Sequence, residues 1–296
     1  MSKERKGIIL AGGSGTRLYP LTKVMSKQLL PVYDKPMIYY PLSTLMMSGI
    51  REILIISTER DLSSFRDLMG DGAQWGINLS YEVQKRPEGI AQALLIAEDF
   101  LSGSPSALIL GDNIFHGNSI QLSINRANSI TEGASVFAYY VKDPKQYGVV
   151  SFNNEGKAKT IVEKPKDPQT NYAVTGLYLY DGYASEIAKS LSPSPRGELE
   201  ITDLNLAYLK ENKLSVEILE RGDAWFDTGT HQSLLDAQQF VHAIENRDGL
   251  KIACPEEIAF INSWIDDRRL KDLSNEISNT EYSHYLLKIL KAKINH

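Results

Sequence analysis

Residues 7–18 read GIILAGGSGTRL, a short apolar run that breaks into Gly12, Gly13 and Gly15 and then Thr16 and Arg17. This feature constrains the fold more than any other. The run has the length of a strand buried on both faces. A glycine-rich turn at such a strand's end leaves backbone N–H groups free to face an anion, and Arg17 adds a fixed cationic fork there. Two common uses of such turns do not fit. A dinucleotide-binding GxGxxG needs a third glycine where Leu18 stands, and a Walker A loop needs a closing Gly-Lys-Ser/Thr that does not follow.

Further strand-like runs cover residues 52–57, 79–83, 107–110 and 135–141, several of them apolar on both faces. Between them, Ile38, Leu42, Leu45, Met46 and Gly49 recur at helical spacing, as do Ile90, Ala93, Leu94, Ala97 and Leu101. Strands alternating with helices predict an α/β fold: a Rossmann-like, mixed but mostly parallel sheet flanked by helices, with sites at the carboxyl ends of its strands. Residues 149–152, 160–163, 174–180 and 216–219 add strands with few helices between them, so antiparallel neighbours are expected. Past Thr230 the pattern turns helical, with one helix over 231–245 and an apolar stripe of Tyr282, Tyr285, Leu286, Ile289 and Leu290. The expected division is an α/β core over 1–229 and a helical C-terminal region, 230–296, packed on it.

The net charge of −5 offers no basic excess for a nucleic-acid backbone, so the phosphate site is a local pocket and nucleic acid is not an expected partner. The single cysteine, Cys254, fits a reducing compartment. The apolar stretch behind MSKERK is too short for a signal-peptide core, and no window has the apolar length of a membrane span. A cytoplasmic protein without membrane partners is the expectation.

The turn is followed by SKQLLP (26–31), and then in order by LGDN (110–113), YGVV (147–150), EKP (163–165), NYAVTGLY (171–178), SPRGELEITD (194–203) and WFDTGTH (225–231). Seven such segments in order across nearly the whole chain closely resemble the sugar-nucleotide pyrophosphorylases, in the wording of their glucose-1-phosphate thymidylyltransferase branch. These enzymes join a sugar 1-phosphate to a nucleoside triphosphate and release pyrophosphate. The resemblance implies dTTP and glucose 1-phosphate as substrates, Mg²⁺ as cofactor and a homotetramer.

Spacing alone leaves Asp112 and Asp227 open. Each follows an apolar piece, and each reads equally as a strand-end metal ligand or as a turn or cap residue. The resemblance makes them the metal pair, with Asp112 also on the substrate. It further implies that Arg17 and the Gly12–Thr16 amides take the departing pyrophosphate, with Leu10, Gly12, Gly13, Gly15 and Thr16 as contact positions. Lys27 serves the triphosphate, while Lys164 and Arg196 hold the sugar phosphate. Gln28, Gln84 and Gly89 face the base, and Tyr147, Gly148, Glu163, Val174 and Tyr178 line the sugar.

The attacking group, a phosphate oxygen, is anionic at neutral pH (second pKa about 6), so no general base is required. His231 beside Asp227 is accordingly read as a first-turn helix residue. Lys85 and Arg86, after Gln84, are more basic than the branch leads one to expect. A uridylyltransferase on the same scaffold and a regulatory nucleotide-sugar sensor are the alternatives. An NAD-dependent dehydrogenase is disfavoured by Leu18. For residues 250–257 (LKIACPEE) two readings stay open: part of a second, feedback site, or a tail that only packs.

Overall fold

The protein is described here by a computed structural model covering residues 3–294. In chain order its strands are β1 (Lys6–Ala11), β2 (Pro31–Val32), β3 (Lys35–Pro36), β4 (Glu52–Ser57), β5 (Asn78–Val83), β6 (Ser106–Leu110), β7 (Asn113–His116), β8 (Ala134–Tyr140), β9 (Gly148–Phe152), β10 (Ala158–Glu163), β11 (Tyr172–Tyr180), β12 (Leu214–Ile218) and β13 (Ala224–Asp227). Among the described residues nine of them form one sheet along the path β10-β9-β11-β6-β1-β4-β5, with β8 beside β11 and β12 beside β8. The β6-β1-β4-β5 pairings are parallel. Strand β11 is antiparallel to β6, β8 and β9; β12 is parallel to β8; and β10 is antiparallel to β9. Only β10 and β11 therefore run against the other seven, the mixed, mostly parallel sheet that the sequence predicts.

The apolar runs fill both faces because alternate side chains point to opposite sides of a strand. Ile9, Ile53, Ile55 and Ile109 face the helix Tyr39–Met47. Their neighbours Ile8, Leu54, Ile56 and Leu108 face the other layer, with Leu94 and Leu101 of the helices Gln92–Ile96 and Glu98–Leu101 and Leu204 of the helix Ile201–Lys210. Each such buried side chain stabilises the fold by roughly 1.5–3 kcal/mol. The periodic stretch near 90–101 is thus two short helices rather than one.

The C-terminal helices share these cores. Cys254, Phe260, Leu270 and Leu286 join the Ile9 face, while Leu234, Ala237 and Val241 pack with Leu18, Met37, Tyr40 and Ile114. The helix His231–Asp248 starts at a capping box between Thr230 and Ser233 and stops at Gly249, whose φ of 66° is left-handed. The predicted stripe on the last helix, Glu281–Ile294, buries Tyr285 and Leu286. In the 250–257 segment Lys251 pairs with Asp34 and Glu245, and Glu256 accepts from Trp75 Nε1 at 3.0 Å and the Tyr282 hydroxyl at 2.7 Å. No described helix is long and apolar enough to cross a membrane.

Candidate active site

Three parallel strands end on one edge, and each delivers a candidate residue there: β1 runs into Gly12, β5 into Gln84 and β6 into Asp112. Backbone bonds past the strand ends hold them in line, from Gln84 N to Ser57 O (2.7 Å) and Gly111 N to Leu10 O (2.9 Å). Antiparallel β11 enters from the opposite direction, so Val174 and Thr175 extend beyond the end of β6 and Gly176 lies level with it. Strand β13 pairs with β7, with Asp227 opposite Asn113. The edge encloses a cavity of about 600 Å³.

Most of the expected site residues line it. The turn side contributes Leu10, Gly12, Gly13 and Arg17, with Lys27 and Gln28; β5 and the following loop contribute Gln84 and Gly89. The far wall holds Tyr147, Gly148, Glu163, Lys164, Val174, Tyr178 and Arg196, and Asp112 and Asp227 lie in the same cavity. Gly15 and Thr16 are not among the lining residues. Gly15 is left-handed (φ 60°), and its carbonyl accepts from Thr22 Oγ1 at 2.7 Å. The next residues form a tight 3₁₀ turn that buries Leu18, so this third glycine shapes the loop while the first two face the cavity. Exposed Lys85 and Arg86 also stand outside it, and His231 opens its helix with Nε2 3.1 Å from Tyr19 O.

At the centre, Lys27 Nζ is ion-paired with Asp112 Oδ2, and Asn113 Nδ2 donates to Asp112 Oδ1 at 3.1 Å. Burial alone would raise the Asp112 pKa, but the Lys27 charge and these hydrogen bonds outweigh it and hold the carboxyl below its ordinary value. Asp227 goes the other way. Burial and the Asp112 charge push it up, and Lys27 and Arg17 offset only part of that. Gly229 permits the arrangement, since a Cβ there would sit 2.6 Å from Arg17 Nη2 and 3.0 Å from Asp227 Oδ1. Two carboxylates that repel each other in one cavity suit a cation. They are hard oxygen donors, and no cluster of three or more His, Cys, Asp or Glu occurs among the described residues. That set fits Mg²⁺, which takes one or two protein carboxylates and completes its shell with phosphate and water.

On the far wall Arg196 Nη2 is bidentate on Glu200 (2.8 and 2.9 Å) and 3.6 Å from Glu163. Glu163 accepts from Thr202 Oγ1 at 2.7 Å and lies 3.4 Å from Lys164 Nζ. Lys164 itself adopts a left-handed φ of 43°, uncommon for a residue with a Cβ, and its N–H donates to Tyr147 O at 3.0 Å. Burial, then Glu163, drives the Tyr178 hydroxyl far up, so it stays neutral and can donate.

Further lining residues include Asn113, Thr175, Gly176, Glu200, Thr202 and Trp225. All stand inside the quoted motifs, which was the available signal. What single residues could not signal is that Asn113 Oδ1 accepts from Gly176 N at 3.0 Å and Trp225 Nε1 at 2.6 Å, joining three motifs.

The nucleotidyl transferase family model matches residues 6–244. The glucose-1-phosphate thymidylyltransferase of Xanthomonas campestris is 58% identical over 97% of this chain and 98% of its own, and that of Mycolicibacterium smegmatis is 55% identical over 96% and 99%. Among solved structures, a putative glucose-1-phosphate thymidylyltransferase from Bacillus anthracis, in complex with a sucrose, matches with a TM-score of 0.75 and 44% identity over 80% of this chain and 95% of its own. A UDP-glucose pyrophosphorylase complexed with UDP-glucose matches with a TM-score of 0.70 and 25% identity, over 82% of this chain and all of its own. The chain belongs to the nucleotidyl transferase family, in its glucose-1-phosphate thymidylyltransferase branch.

Proposed function

We propose that the protein transfers a thymidylyl group from dTTP to glucose 1-phosphate, giving dTDP-glucose and pyrophosphate. The observation that carries this reading is the charge gathered in one cavity: Arg17 and Lys27 from the turn side, Lys164 and Arg196 from the far wall, and Asp112, paired with Lys27, together with Asp227. Two polyanions could meet head-on in such a frame. The sugar-phosphate oxygen attacks the α-phosphorus in line, and pyrophosphate leaves on the opposite side.

In this assignment Lys164 and Arg196 hold the attacking phosphate. Arg17 and the amides at Gly12 and Gly13 neutralise the leaving pyrophosphate, and Lys27 moves from Asp112 towards the triphosphate. Glu163, Gly148, Val174, Tyr147 and Tyr178 orient the sugar; Gln28, Gln84 and Gly89 receive the base. Asp112 and Asp227 would hold Mg²⁺, which when bound lowers the charge on the phosphates. Gly15 and Thr16 act on the loop that carries Arg17. A catalytic core over 1–229 with a helical region from 230 on, a homotetramer and a cytoplasmic setting, where nucleoside triphosphates are made, complete the reading.

The test is pyrophosphate release from glucose 1-phosphate with dTTP, UTP, dCTP, ATP or GTP in the presence of Mg²⁺. Turnover highest with dTTP is expected; none with dTTP would falsify the assignment.

A further inference from the structure

Gln84 reaches the cavity from the end of β5, and its side-chain amide is tied from behind. Its Nε2 donates to Gln92 Oε1 at 2.8 Å. Gln92 stands on the short helix Gln92–Ile96, half-buried and outside the cavity lining. Its own Nε2 donates to Glu88 Oε2 at 2.8 Å, and its Oε1 also accepts from Glu88 N at 3.2 Å. The Glu88 loop is held in turn by Leu199, whose N–H donates to Glu88 O at 2.7 Å and whose carbonyl accepts from Ala91 N at 3.2 Å.

This chain of contacts has one consistent orientation. A carboxylate only accepts and a backbone N–H only donates, so Glu88 fixes both ends of the Gln92 amide. Gln92 Nε2 must face the carboxylate and Oε1 must face the N–H. With that oxygen shared with Gln84, the Gln84 amide must offer its nitrogen backwards and its oxygen forwards. Gln84 Oε1 lies beside Gly12, where an added Cβ would come within 2.0 Å of it. Both residues line the cavity.

We infer that Gln92 is a specificity-determining positioning residue: backed by Glu88, it locks the Gln84 amide so that an acceptor oxygen faces the base. The inference rests on the reading that Gln84 faces the base. Thymine and uracil carry a hydrogen on N3 and can donate to that oxygen. Cytosine N3 is an acceptor, and would meet the oxygen as an unpaired lone-pair contact in a half-dry site. The lock therefore discriminates by penalising cytosine as much as by rewarding thymine. Without it the amide is free to turn over and offer Nε2 instead.

The experiment compares kcat/KM for dTTP and dCTP, with glucose 1-phosphate and Mg²⁺, in the full-length wild type, Gln92→Leu and Gln92→Glu. Gln92→Leu removes the acceptor, and the dTTP-to-dCTP ratio should fall by about tenfold, the weight of one hydrogen bond. Gln92→Glu still accepts from Gln84 and from the Glu88 N–H, so the ratio should hold even if turnover drops from crowding two carboxylates. An unchanged ratio in Gln92→Leu, or equal loss on both nucleotides, overturns the inference and leaves Gln92 a packing residue. If the leucine variant does not fold, Gln92→Met, of similar length, carries the same comparison. Wild type inactive with dTTP would instead overturn the functional reading, a separate outcome.

Discussion

The Trp225 indole N–H donates to Asn113 Oδ1 at 2.6 Å, so a ring on β13 fixes the amide whose other end holds Asp112. Asn113 is 2% exposed and spends its oxygen on two donors, Trp225 and the Gly176 N–H. Asn113→Ala leaves both donors buried and unpaired and removes the hydrogen bond to Asp112 Oδ1, while Lys27 stays on Oδ2. The expected cost is about 2–4 kcal/mol, read as a lower midpoint in urea, with a fall in kcat. Trp225→Phe strands no donor and should cost less. A loss in the phenylalanine variant equal to that of the alanine variant would contradict this account.

The two aspartates are expected to separate function from stability. Asp112→Asn and Asp227→Asn should each lower turnover by about a hundredfold or more, since either change weakens the hold on the Mg²⁺ whose charge would offset the phosphates. Their effects on the metal-free protein should have opposite signs. Asp112→Asn strands the Lys27 ammonium and destabilises. Asp227→Asn relieves burial and the repulsion from Asp112, so its melting temperature should rise. The pH dependence has the same origin. A carboxyl whose folded pKa is raised costs nothing below its unfolded pKa, and the cost appears as pH climbs through the folded one. Calorimetry of both variants without Mg²⁺ checks the signs.

Asp34 gives the reverse pH dependence. Burial works to raise its pKa, but Lys35 and Lys251 outweigh it and the net shift is downward. A lowered folded pKa means stability that is present above the unfolded pKa and lost as pH falls through the folded one. Asp34→Asn should remove about 1 kcal/mol at neutral pH, after allowance for its partial exposure, and flatten the acid limb of stability against pH. A limb as steep as that of wild type would exclude Asp34 as its source.

The same network holds a buried ion pair, Lys35 Nζ to Glu245 Oε1 at 3.0 Å, which ties the β2–β3 ribbon to the helix His231–Asp248. Lys35→Met removes the cation and leaves Glu245 facing only Lys251 and the Ile252 N–H. Roughly 3 kcal/mol or more should be lost, because half a buried pair is worse than none. Lys35→Met with Glu245→Leu should recover much of it in the same denaturation assay.

Arg196 faces a different competition. It is bidentate on Glu200 and must give up part of that pairing to hold an incoming phosphate. Arg196→Lys keeps the charge but loses the fork, so KM for glucose 1-phosphate should rise about tenfold while KM for dTTP changes little. Equal rises in both would place Arg196 elsewhere in the reaction.

The nine strands of the large sheet were legible in one dimension, because runs such as GIILA are apolar on both faces and only a covered, mostly parallel sheet buries both. The sequence also supplied the candidate residues of the site, with the family resemblance assigning their roles. The glycine turn, the two aspartates and the four cations all stand in motifs that are contiguous in the chain, and contiguous signals survive in one dimension. Tertiary structure decided which of them meet. The register of β11 on β6 brings Gly176 to Asn113, and the pairing of β13 with β7 sets Asp227 opposite Asn113. The strands β7 and β13, four residues each, were too short to show a period. Gly15 stands in the same glycine turn, and only the folded chain shows that its left-handed φ and its bond to Thr22 shape the loop. The orientation of the Gln84 amide is of the same kind. It depends on a glutamine one helix away and a glutamate on the intervening loop, and hydrogen-bond direction exists only once the partners are in place.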